Sequence, residues 1–103
     1  MTINQYIKSL EKAIAHENTP KINREWEKER LSDMQDAIKT LGKKEVRELS
    51  KHVISGKIDR ASVDFFALCY GSAKDDHKPY TVWSDDGMNA QAVKIYEAWK
   101  HHA

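Results

Sequence analysis

The densest gathering of groups able to do chemistry is the stretch GSAKDDHKPYTVWSDDG, residues 71–87, with four aspartates, a histidine, a tyrosine and a tryptophan. Carboxylates converging beside an imidazole could hold a divalent cation, here His77 with Asp75, Asp76 and Asp85 or Asp86. The spacing argues against it. Hard cations take several oxygens at set intervals, and this stretch lacks the alternating ligands and central glycine of a calcium loop. His101 and His102 are adjacent, so on a helix they diverge by about 100° and cannot share one ion. Nucleophilic catalysis needs Cys69 or a serine beside a base and an orienting acid. Cys69 lies in the apolar run RASVDFFALCY, where desolvation keeps a thiol protonated. Glu25, Glu27 and Glu29 interleave with Arg24, Lys28 and Arg30 and read as a charged solvent face rather than as paired catalytic carboxylates. The four glycines are dispersed and build no phosphate loop. The expectation is no catalytic residue, no metal ligand and no cofactor.

Recognition is the remaining possibility. Residues 39–60 carry seven basic and three acidic side chains, against six and seven before them and four and six after. Lys43, Arg47 and Lys51 recur at intervals of four, which on a helix makes one basic stripe. Two helices meeting near Gly56 invite comparison with a helix-turn-helix, with Lys57 and Arg60 as further phosphate contacts. The second of them, however, offers Asp64 and bulky apolar residues where base readout needs arginine, asparagine or glutamine. Tyr80 follows Pro79 in a connection, the placement of an interface anchor. Trp26 and Trp99 fall within apolar stripes and read as core, and Trp83 as a cap on it. The residues expected to bind a partner are Lys43, Arg47, Lys51 and Tyr80.

These groups must be positioned by helices. Thr2 and Gln5 have capping-box spacing, and Ile3, Ile7, Leu10 and Ile14 give an amphipathic helix to about residue 17. Thr19 before Pro20 reads as the N-cap of a second helix, with the stripe Ile22, Trp26, Leu31, Met34, Ile38 and Leu41 and its end at Gly42. Val46, Leu49 and Val53 define a third, closed by Gly56. Asp59 caps a fourth, apolar nearly all round and ended by Gly71. Ser84 caps a fifth, with Trp83 and Met88 as a hydrophobic staple. The expected fold is all-α: a single helical domain over residues 1–103, with a nonhelical connection near 72–83 that has room for a short extended segment over 80–83.

A chain of 103 residues, 40% hydrophobic and 32% charged, can bury a core without disulfides, and its one cysteine can form none internally. No apolar run approaches the roughly 18 residues of a membrane span, so no membrane partner and a cytoplasmic location are expected. By exclusion, the sequence points to a non-enzymatic protein-binding module, a stoichiometric regulator or inhibitor of a larger host assembly such as a nucleic-acid-processing complex. Small size and absence of motif are shared with phage and mobile-element anti-defence proteins, anti-CRISPR proteins among them. The alternative is a regulator that binds nucleic acid directly through residues 39–60.

Overall fold

A computed structural model describes residues 1–102, and the all-α expectation holds. Its five helices are α1 (Ile3–Ala15), α2 (Lys21–Leu41), α3 (Lys43–Leu49), α4 (Arg60–Asp76) and α5 (Asp86–His102), with no strand among the described residues. The radius of gyration is 13.3 Å, the value of about 13 Å expected for a compact chain of this length.

α1 begins as its sequence dictates. The Thr2 hydroxyl accepts from the Gln5 N–H, and the Gln5 side chain accepts from the Thr2 N–H. It stops at Ala15, two residues short of expectation. The Thr19 hydroxyl, expected to cap α2, instead donates to the Ala13 carbonyl at 2.7 Å and ties off the turn between α1 and α2. Pro20 therefore stands at the N-cap position, with no side-chain cap. Gly42, at φ +89°, closes α2 and opens α3 directly. α3 ends at Leu49, so Val53 lies outside the helix and is exposed.

α4 is the central element, burying Val63, Phe66, Ala67, Cys69, Tyr70 and Ala73. The Asp59 cap forms as expected, its carboxylate accepting from Ser62 N–H at 2.8 Å while the Ser62 hydroxyl accepts from the Asp59 N–H. Gly71 does not end the helix. α4 continues through it to Asp76, because Ala73 extends the buried stripe one turn beyond Cys69 and Tyr70, and His77 makes the left-handed C-cap at φ 55°. Tyr6 and Leu10 of α1, Met34 and Ala37 of α2, Val46 of α3, and Ala92 and Ile95 of α5 complete the core.

Polar contacts fix the helix directions. Glu27 meets Arg60 at 3.4 Å, Arg30 meets Asp64 at 3.4 Å, Asp36 accepts from Tyr70 at 2.5 Å and Asp33 meets Lys74 at 3.0 Å. Glu27–Arg60, Arg30–Asp64 and Asp36–Tyr70 advance together along both helices, with the Lys74 side chain reaching back to Asp33, so α2 and α4 run the same way. α5 also runs parallel to α4, since Met88 and Gln91 lie near Ala61 and Phe65 while Trp99 lies 5.5 Å from His77. Residues 77–85 must therefore return from the end of α4 to its beginning. The backbone at Val82 is nonhelical and held by one side chain: Asn89 accepts from the Val82 N–H at 2.6 Å and donates to its carbonyl at 2.8 Å. The extended segment expected over 80–83 is a clamped connection rather than a strand.

Candidate functional site

The basic residues divide between two places. Lys43, Lys44 and Arg47 are exposed around a cleft of about 590 Å³ that also involves Met1, Thr2 and Ile58. The amino group of Met1 donates to the Ile58 carbonyl at 3.2 Å and closes one end. Lys51 is not part of this cleft. Its ammonium is engaged by Glu48 at 2.9 Å, a hydrogen bond that holds the Glu48 carboxyl below its ordinary pKa. Tyr80 is half-buried, its ring packed edge-on to Phe65 at a centroid distance of 6.2 Å. Of the four expected binding residues, the structure thus brings Lys43 and Arg47 together and places Lys51 and Tyr80 elsewhere.

The acidic stretch that drew attention in the sequence is divided as well. Asp75 and Asp76 form the last turn of α4. Asp85, not Ser84, caps α5, accepting from the Met88 N–H at 3.0 Å; Ser84 adopts φ +66° and bonds the Trp83 carbonyl. This one-residue shift of the cap moves Trp83 out of the position from which it could staple onto Met88, and the ring is 93% exposed. Among the described residues no three His, Cys, Asp or Glu side chains are grouped to hold a metal ion. Cys69 is wholly buried, and burial pushes its thiol up to about 12.

A different surface has the make-up of a binding site. α2 and α4 diverge around a cleft of about 430 Å³ whose walls are Trp26, Glu29, Arg30 and Asp33 on one side and Ala67, Leu68, Gly71, Ser72, Asp75 and Asp76 on the other. Trp26, read from the sequence as core, is 53% exposed; Ile22, one turn earlier on α2, is 57% exposed, and Leu68 is 40% exposed. The reason lies in the first half of α2. The positions that continue the core face of Met34 and Ala37 toward its N-terminus carry Glu27 and Arg30, which pair with Arg60 and Asp64 of α4. Polar pairing takes the inward-facing places, and the tryptophan turns to the edge. The charged face expected around Glu27 and Arg30 is accordingly an inter-helix contact.

The floor of this groove depends on Gly71. A Cβ there would stand 2.8 Å from the Asp33 carboxylate, so only glycine lets the two helices meet with Asp33 between them. Asp33 is 6% exposed, and burial raises its pKa despite the opposing hydrogen bond from Lys74 at 3.0 Å. Burial also works against the Lys74 charge, but the hydrogen bond and attraction of Asp33 outweigh it and hold that pKa above its ordinary value. Glu29, Asp75 and Asp76 have no ion-pair partner among the described residues. Asp75 and Asp76 also occupy the C-terminal turn of α4, where the helix macrodipole disfavours negative charge.

The arrangement offers exposed apolar contact from Trp26 and Leu68 and carboxylates on both walls. The signal available in the sequence was Ala73, at the right interval from Cys69 and Tyr70 to carry the stripe past Gly71. No described helix is long and apolar enough to cross a membrane. Comparison of the chain with protein-family models, curated proteins and solved structures found no match.

Proposed function

We propose that the chain is a non-enzymatic protein-binding module acting stoichiometrically on a larger host assembly. The observation that carries this reading is Trp26, half-exposed in the α2–α4 groove with Leu68, and with Ile22 exposed one turn earlier on α2. A tryptophan in a cleft, surrounded by apolar contact and a polar rim, is the make-up of an interface hot spot. Two groups that could otherwise do chemistry are engaged in the fold: the Cys69 thiol lies in the core, and Asp33 is held by Lys74. Inhibition of a host defence assembly, as by anti-CRISPR and other anti-defence proteins of phages and mobile elements, is the specific form we favour; small size, helical fold and absence of motif support it by analogy.

Capture from a lysate of the native host, with partners identified by mass spectrometry, tests the reading. Trp26→Ala should weaken capture by about 2 kcal/mol in binding free energy while the variant keeps its helical content. Titrated into the purified partner, the protein should change activity linearly to an endpoint at equimolar ratio. A full effect at a small fraction of that ratio marks turnover and overturns the proposal.

A second reading, direct binding of nucleic acid, draws on the cleft of Lys43, Lys44 and Arg47, none of which is ion-paired among the described residues. It requires affinity for random duplex or single strands that falls steeply with salt and is lost on replacing these three residues by alanine.

A further inference from the structure

We propose that the α2–α4 groove receives a cationic amphipathic helix of the partner protein. The proposal rests on the protein-binding reading and adds to it the chemistry of what is bound. Trp26 and Leu68 give the groove its exposed apolar contact, Ile22 is exposed one turn before Trp26 on α2, and acid lines the groove from both helices, Glu29 on α2 and Asp75 and Asp76 on α4. Lys74 is committed to Asp33 at 3.0 Å and Arg30 to Asp64 at 3.4 Å. The three outer carboxylates therefore have no ion-pair partner among the described residues, and two of them stand against the α4 macrodipole. Cations arriving with a partner would relieve that repulsion, so the charge pattern selects the sign of what binds.

Shape selects a helix. From Ile22 to Glu29 the exposed edge of α2 rises about 10 Å, two turns, and α4 runs in the same direction. A helix laid between them would present residues at i, i+3 or i+4, and i+7 to Ile22, Trp26 and Leu68, with flanking lysines or arginines reaching both walls. Nucleic acid would bring phosphates against Glu29, Asp75 and Asp76. A second copy of this chain joined through the same groove would set these carboxylates against one another.

The probes are three helical peptides of one length, with leucines on one face and lysine, glutamine or glutamate on the other. They are titrated into isotope-labelled full-length protein, followed by amide shifts and calorimetry. The lysine peptide should bind at one-to-one stoichiometry, with shifts confined to residues 21–33 of α2 and 67–76 of α4. Affinity should fall at least roughly tenfold for the glutamine peptide and further for the glutamate peptide. Asp75→Asn/Asp76→Asn, at exposed positions, should weaken lysine-peptide binding and flatten its salt dependence; Trp26→Ala should weaken it roughly thirtyfold. Equal binding of all three peptides, shifts centred on the Lys43–Arg47 cleft, binding of none, or a free protein already dimeric through this groove would each overturn the proposal. If no peptide binds but Trp26→Ala still abolishes capture of the native partner, the cationic helix is wrong and the docking reading stands. If capture survives Trp26→Ala, the docking reading fails with it.

Discussion

At the scale of single residues, Asp33 is the group whose energetics are most exposed to test. Its carboxylate is buried between α2 and α4 with one cation, Lys74, for partner, and its raised pKa means that desolvation outweighs what the lysine returns. The folded chain therefore holds the Asp33 proton more tightly than the unfolded chain does. That contribution to stability is complete below the ordinary carboxylate range and is lost as pH rises through the raised native value. Asp33→Asn carries no such loss. Its stability relative to wild type should increase from about pH 4 upward and then level off, and at neutral pH the two should lie within about 1 kcal/mol. Lys74→Ala leaves the carboxylate buried and unpaired, and should cost about 2 kcal/mol at neutral pH and less in acid. Urea denaturation of the three proteins across this range is the measurement; a Lys74→Ala deficit unchanged at low pH would show that the pair is not the source.

At the scale of elements, Gly71 decides how closely α2 and α4 approach. Alanine is the better helix former by about 1 kcal/mol, yet its methyl group would have to displace the Asp33 carboxylate from Lys74. Gly71→Ala should therefore destabilise the wild type by about 1 kcal/mol and stabilise an Asp33→Ala background by about as much, a coupling of about 2 kcal/mol in a double-mutant cycle. The same glycine shows what local reading of the sequence can and cannot reach. Helix class, the Thr2–Gln5 box, the Asp59 cap and the turn at Gly42 follow from short-range chemistry and were legible. A glycine at a helix end and a glycine at a helix crossing look alike in one sequence, because only the neighbouring helix distinguishes them. Trp26 was misplaced for the same reason: periodicity located an apolar side chain, but Glu27 and Arg30 took the inward face through partners more than thirty residues away. The groove is a product of pairing between distant segments, and no window along α2 or α4 contains it.

At the scale of the whole molecule, a formal net charge of +1 conceals two surfaces of opposite sign. Lys43, Lys44 and Arg47 surround one cleft, while Glu29, Asp75 and Asp76 border another; no residue lines both. At physiological ionic strength the Debye length, about 8 Å, is short against the 37 × 29 × 27 Å extents of the molecule, so each surface acts almost independently of the other. The protein should thus be retained at neutral pH on both sulfonate and quaternary-amine resins. Replacing Lys43, Lys44 and Arg47 by alanine should abolish retention on the first, and Asp75→Asn/Asp76→Asn should reduce it on the second, with melting temperature nearly unchanged. Elution of every variant in step with its net charge alone would contradict a divided surface.

The parallel course of α2, α4 and α5 bears on how the chain reaches this state. In an antiparallel bundle, sequence neighbours zip together from each turn, and little loop entropy is lost before contacts form. Here the joining contacts are distant: Tyr6 with Asp64 across 58 residues, Gln91 with Leu49 across 42, Lys74 with Asp33 across 41. Each requires closure of a long loop before burial can compensate, so refolding should be slower than for an up-and-down bundle of equal length and stability. Stopped-flow refolding monitored by tryptophan fluorescence would measure it, and a relaxation in the microsecond range of the fastest helical bundles would show that topology does not govern the rate.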